Sequence, residues 1–245
     1  MQLFSSTVLM ACRPGFRFDV AALKPTFFIT GTDTGVGKTV LTALLARCLH
    51  ERGVNVAALK PVCAGGRGDA RALHAAMNGA LTPNEINPWH FRAPVAPLLA
   101  ARRDRKRVTL TDVLAHVRAM QKRFDVLLVE GAGGLLSPLG ENFDSRDLLT
   151  ALRATPIVVC PNQLGAVNRV LLTLEALPKI FQRRARVVLL SPPSPDASTG
   201  TNAKLLAEFF DAKRTFTLPW LGGQFESEKA VRDPRMRRTL RNLAT

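Results

Sequence analysis

One short stretch, Gly31-Thr32-Asp33-Thr34-Gly35-Val36-Gly37-Lys38-Thr39, combines glycines, a lysine and a hydroxyl at the spacing that holds phosphates. Backbone N–H groups from Gly35 to Thr39 can wrap phosphate oxygens, and a helix opening at Lys38 points its positive end at them. Lys38 supplies a point charge to the β and γ phosphates, and Thr39 offers a hydroxyl to Mg²⁺. The expected nucleotide-contacting stretch runs Gly35, Val36, Gly37, Lys38, Thr39, Val40. The general pattern is Gly, four residues, then Gly-Lys-Thr/Ser. Here the first glycine, Gly31, stands one position early, with Thr32 in its place.

Three more residues have types and positions suited to the same chemistry. Glu130 ends the apolar run Val126–Val129 and precedes Gly131-Ala132-Gly133-Gly134. A carboxylate there lies at the carboxyl edge of a buried strand, beside the P-loop. Asp69 follows Gly65-Gly66-Arg67-Gly68. Spacing alone leaves it either a helix N-cap or a metal carboxylate. Mg²⁺ keeps several waters, so one or two carboxylates suffice, and the expected set is Thr39, Asp69 and Glu130. Lys60 ends another apolar run and precedes Pro61. It is either a snorkelling strand-end lysine or a second cation near the triphosphate, stabilising charge on the acceptor or the transferring phosphoryl group.

These residues need a frame. Strand-like runs occur at 26–30, 54–59, 124–129, 156–160, 186–190 and 215–218. They alternate with helical patterns at 38–52, 69–77, 111–122 (N-cap Thr111 or Thr109), 146–153, 165–179 and 202–211, and a basic helix closes the chain. A Pro-containing connection covers 82–97. Continuous apolar strands alternating with helices imply an α/β fold, a P-loop NTPase-like three-layer sandwich with a mostly parallel central sheet. Ligands in such sheets bind beyond the carboxyl ends of strands, where the glycines lie. Residues 25–245 read as a single P-loop α/β domain and 1–24 as a loose extension, with Met10 an alternative start.

Composition narrows the class. Hydrophobic residues make up 47% and charged residues 22%, which excludes a mostly disordered chain. No apolar run reaches the roughly 18 residues that span a bilayer, and no signal peptide is recognisable. Cys12, Cys48, Cys63 and Cys160 show no paired spacing, so reduced thiols in a cytoplasmic protein are expected. A formal charge of +15, from 34 Lys+Arg against 19 Asp+Glu, raises the question of nucleic acid. The basic residues are scattered and lack interleaved stacking aromatics, so neither nucleic acid nor membrane is expected as the main partner.

Taken in order, Gly31–Thr39, Lys60-Pro61-Val62, Asp69-Ala70, Val129–Gly134, Leu164-Gly165-Ala166-Val167-Asn168 and Leu218-Pro219-Trp220 resemble the dethiobiotin synthetase family. The likeness runs from about Thr26 to Leu221. It implies an ATP-dependent cyclo-ligase of biotin biosynthesis. In that family 7,8-diaminononanoate takes up CO₂ as a carbamate, ATP phosphorylates the carbamate, and the second amine closes the ureido ring. The resemblance makes Lys60, with Lys38, catalytic. It assigns Gly131, Ala132, Gly133, Leu218, Pro219 and Trp220 to the nucleotide. It assigns Thr34, Lys60, Ala64 and Gly133 to the substrate, together with Gly165, Ala166, Val167 and Asn168, whose helix end comes from the other subunit of a homodimer.

Three departures stand out. Ala64 replaces a usual serine, and Gly35 replaces a frequent acidic residue. The Asn-Asp that reads adenine is not recognisable in Leu189-Leu190-Ser191-Pro192-Pro193, which implies altered base recognition and loosened nucleotide selectivity. Two other readings compete with the ligase. One is a partitioning-type ATPase switch, which normally has an extra P-loop lysine that is missing here. The other is a family member that binds nucleotide without synthesis.

Overall fold

The computed structural model describes residues 24–222 and 226–244; Cys12 and the rest of the expected extension up to residue 23 lie outside them. In chain order the strands are β1 Thr26–Gly31, β2 Val56–Leu59, β3 Val62–Ala64, β4 Trp89–Phe91, β5 Val126–Glu130, β6 Pro138–Gly140, β7 Phe143–Asp144, β8 Thr155–Pro161, β9 Arg186–Leu190 and β10 Thr215–Leu218. The helices are α1 Lys38–His50, α2 Gly68–Ala76, α3 Pro83–Ile86, α4 Pro97–Arg103, α5 Leu110–Arg123, α6 Ser145–Leu152, α7 Ala166–Glu175, α8 Lys179–Gln182, α9 Asn202–Leu206, α10 Ser227–Ala230 and α11 Pro234–Ala244.

Six strands form one sheet in the order β10-β9-β8-β1-β5-β2, and every pairing in it is parallel. The residues dictate this. Phe27, Phe28 and Ile29 of β1 and Leu127, Leu128 and Val129 of β5 are all buried, as strands covered on both faces require. Helix α1 buries Leu41, Leu44 and Leu45 against the sheet and packs beside α2 and α11. β1 stands where the chain changes direction across the sheet, with β5 and β2 on one side and β8 to β10 on the other. Its carboxyl end is therefore the crevice of a doubly wound sheet, and the P-loop begins there: the Thr32 N–H donates to the Val159 carbonyl at 2.9 Å.

Several sequence expectations shift in detail. The connection expected over 82–97 holds α3 and β4. Strand β4 pairs in parallel with β3, from Val62↔Trp89 to Ala64↔Phe91. Helix α5 is capped by Thr109, whose hydroxyl accepts from the Asp112 N–H, and not by Thr111. The helix expected over 202–211 ends at Leu206, and the one over 165–179 breaks before Pro178 into α7 and α8.

Candidate active site

Helix α1 opens without a side-chain cap. Gly37 precedes it at φ 95°, and a Cβ there would meet Leu190 Cδ1 at 2.3 Å, so only glycine fits. The first-turn N–H groups are thus left for an anion. Lys38 is 6% exposed, and its ammonium donates to the Asp33 carbonyl of the same loop at 2.7 Å. Burial lowers its pKa to about 8; the Lys60 charge adds to this, and Glu130, Asp33 and Asp69 partly offset it.

Across a cavity of about 740 Å³ from the loop lies a carboxylate–lysine cluster. Glu130 is 1% exposed at the end of β5. Its Oε1 accepts from the Thr39 hydroxyl at 2.7 Å and from the Lys60 ammonium at 2.7 Å. Lys60 also donates to Asp69 Oδ2. Burial alone would depress Lys60, but Glu130 and Asp69 outweigh it, and its pKa rises above the ordinary lysine value. Lys60 is thus a buried, paired cation and not a snorkelling strand end. Asp69 does not cap a helix either: α2 is preceded by Arg67, and Asp69 sits in its first turn facing Lys60.

Glu130 Oε2 is buried with no hydrogen-bond partner. An orphaned carboxylate oxygen beside the Thr39 hydroxyl, with Asp69 nearby, makes an all-oxygen donor set that suits a hard divalent cation. No group of three His, Cys, Asp or Glu able to hold a metal by itself occurs among the described residues. Any such ion would depend on phosphate and water oxygens as well.

The cavity gathers Thr34, Gly35, Gly37, Lys38, Thr39, Val40, Lys60, Ala64, Asp69, Glu130, Ala132 and Gly133. Gly133 is fixed by φ 70° and by Ser137, whose Oγ lies 2.2 Å from where its Cβ would stand. Val36, Pro219 and Trp220 line a second cavity on the other side of the loop. Gly131 and Leu218 line neither. Gly131 packs under Phe28 and Ser145, and Leu218 is a buried β10 residue. Gly165, Ala166, Val167 and Asn168 are not brought to the Lys60 cavity; Asn168 borders a separate groove with Phe209 and Phe210.

Sequence reasoning missed Cys63, Ser137 and the apolar wall Pro94–Pro97, which also line the cavity. It also missed Asn87, which is 1% exposed and donates from Nδ2 to the carbonyls of Lys60, at 2.8 Å, and Pro61, at 3.2 Å. The Lys60 N–H donates to the Ile86 carbonyl at 3.0 Å, so α3 and Asn87 together fix the backbone that carries Lys60. A buried amide just before Pro88 was the available signal.

Comparison with known proteins supplies the deciding observation. The AAA domain family model matches residues 25–226. The ATP-dependent dethiobiotin synthetase BioD of Anaeromyxobacter dehalogenans (strain 2CP-C) is 38% identical over 198 residues, covering 79% of this chain and 89% of that protein. The chain belongs to the dethiobiotin synthetase family. The BioD of Anaeromyxobacter sp. (strain Fw109-5) is 43% identical over 67% of this chain and 73% of its own length. Among solved structures, a ParA family ATPase from Chlorobium tepidum TLS superposes with a TM-score of 0.53 at 14% identity, over 90% of this chain and 98% of that one. At that identity the likeness concerns the fold alone, the P-loop sandwich that dethiobiotin synthetases share with other ATPases.

Proposed function

We propose that this protein is an ATP-dependent dethiobiotin synthase, a cyclo-ligase that forms C–N bonds to close the ureido ring from 7,8-diaminononanoate and CO₂. The observation that carries this reading is the Lys60 ammonium held between Glu130 and Asp69 across one cavity from the Lys38 loop, in a chain of this family.

The chemistry proceeds in three steps. One amine of the substrate adds its lone pair to CO₂ and loses a proton, giving a carbamate anion. A carbamate oxygen attacks the γ-phosphorus as the bond to ADP breaks, giving a carbamic–phosphoric mixed anhydride. The second amine attacks the carbonyl carbon and loses a proton as phosphate leaves with the C–O bonding pair, closing the ring. Lys38 and the N–H groups at the start of α1 bind the phosphates and stabilise charge on the oxygen leaving as ADP. Lys60 faces the carbamate and neutralises it while it is phosphorylated. Thr34, Ala64 and Gly133 line the substrate side; with a methyl at Ala64, that wall gives no hydroxyl. Thr39, Glu130 and Asp69 would hold Mg²⁺, which when bound draws charge from the phosphoryl oxygens.

The reading extends to a homodimer in which Gly165–Asn168 serve the neighbouring subunit's cavity. The exposed Leu164 and Leu172, on either side of the start of α7, support a covered face there. Free thiols at Cys48, Cys63 and Cys160 suit a cytoplasmic site. Residues 25–245 are proposed as one domain.

Purified protein with diaminononanoate, bicarbonate and Mg-ATP should yield dethiobiotin, ADP and phosphate in equal amounts. Folded protein that binds ATP without forming product would leave a nucleotide-binding relative. ATP turnover stimulated by DNA and indifferent to the diamine would favour the partitioning-type switch.

A further inference from the structure

Among the described residues, the side-chain hydroxyls that line the cavity of Lys38 and Lys60 are those of Thr34, Thr39 and Ser137. Thr39 donates its proton to Glu130 Oε1. The other two flank Gly133: a Cβ there would lie 2.2 Å from Ser137 Oγ and 3.6 Å from Thr34 Oγ1, so only a glycine lets both hydroxyls approach one point. Ser137 is held in place. Its N–H donates to the Gly134 carbonyl at 3.2 Å, and its Oγ accepts from the Gly134 N–H at 2.8 Å, which closes the turn twice. The ring of Pro138 further disfavours helical backbone at Ser137. A hydroxyl that accepts one hydrogen bond still has its own proton to give. Neither Ser137 nor Thr34 donates that proton to a described residue.

Donors fixed in advance where charge develops stabilise a transition state without reorganising at the moment of reaction. In the proposed reaction the carbamate has two oxygens. One takes the phosphoryl group and later leaves with phosphate. The other becomes the carbonyl oxygen, and attack by the second amine puts negative charge on it. Of the three N–H donors of the Lys60 ammonium, Glu130 and Asp69 already engage two. We propose that the Ser137 hydroxyl, with that of Thr34 beside it, hydrogen-bonds this carbonyl oxygen during ring closure, which makes Ser137 a catalytic residue of the site. The hydroxyl keeps its proton throughout. The electron pair pushed onto the oxygen returns as phosphate departs with the C–O pair, and the proton lost by the amine goes to water. This inference rests on the function proposed above and names a residue that serves its last step.

The test counts the ADP and the dethiobiotin that Ser137→Ala makes from diaminononanoate, bicarbonate and Mg-ATP. Slower ring closure leaves the mixed anhydride open to water, which returns carbamate and phosphate after the ATP has been consumed. Ser137→Ala should therefore release severalfold more ADP than dethiobiotin and form dethiobiotin about tenfold to a hundredfold more slowly than native protein. Ser137→Thr, which keeps an O–H, should release the two in equal amounts. The ratio does not depend on how much of a variant folds. Equal amounts from Ser137→Ala overturn the proposal, whether its rate is native or falls together with melting temperature and ATP affinity; the hydroxyl then only closes the turn. Native protein that forms no dethiobiotin overturns the function proposed above, and this inference with it.

Discussion

The two lysines of the site have opposite electrostatic settings, and each setting gives a test. Lys60 lies between two carboxylates and stays charged at any working pH. Lys60→Met should lower turnover about a hundredfold to a thousandfold by removing charge stabilisation at the carbamate. ATP affinity, measured by equilibrium binding, should stay within about threefold; a parallel loss of binding would make Lys60 a nucleotide contact instead. Lys38 is the opposite case, a buried ammonium pushed down to about 8. Below that pH it is charged in the free protein, and it binds phosphates without taking up a proton. Above it the free amine predominates, and the polyanion must recruit a proton on binding. ATP affinity should therefore fall as pH rises from 8 toward 10, by up to about tenfold per unit. Calorimetry in buffers of different ionisation enthalpy should report proton uptake near pH 9 and almost none at pH 7. Proton uptake equal at both would contradict the setting assigned to Lys38.

The short elements around Lys60 are what turn a strand-end lysine into a fixed charge. β2 stops at Leu59 and β3 begins at Val62, and the turn between them hangs on Asn87. Removing that amide takes the Asn87 donor from the Lys60 carbonyl and leaves the Pro61 carbonyl to the Trp89 N–H; this loosens the Lys60 backbone, and a misplacement near 1 Å can cost about a hundredfold in rate. Asn87→Ala should thus lower kcat about tenfold to a hundredfold with the KM for ATP unchanged. Lower stability with an unchanged kcat would reduce Asn87 to a packing role. Asn87 also shows what the sequence hides. Phe27 to Ile29 and Leu127 to Val129 are runs that only a covered strand explains, so the central sheet and the carboxyl-edge positions of Lys60 and Glu130 were readable. β3, β4, β6 and β7 are two or three residues long, too short for any period to register, and β4 follows Pro88. Whether Asp69 caps α2 or pairs with Lys60 depends on a long-range approach that spacing does not encode. Leu218 sits one residue before Pro219, which lines the second cavity, but it is buried in β10 and lines neither cavity.

At the scale of the whole molecule, the cavity holding Lys38, Lys60 and Glu130 lacks the helix end that the family resemblance assigns to the substrate carboxylate. The start of α7 is uncapped by a side chain, preceded by Gly165 at φ 84°, and lies outside that cavity. If a second copy supplies it, each functional site takes one half from each chain. Asn168→Asp leaves the fold intact, because an acidic residue in the first turn favours the helix. It would still repel an anionic substrate at that helix end, raising the KM for the diamine about tenfold or more. Lys60→Ala removes the charge from the other half of the site. Mixed and allowed to exchange subunits, the two variants form hybrid dimers in which one cavity pairs an intact Lys60 with an intact α7 and the other cavity carries both defects. An equimolar mixture should then regain about a quarter of native activity at low diamine, since half the dimers are hybrids and each has one complete site. Were both halves drawn from the same chain, exchange would restore nothing, and the mixture would show only half the residual activity of Asn168→Asp.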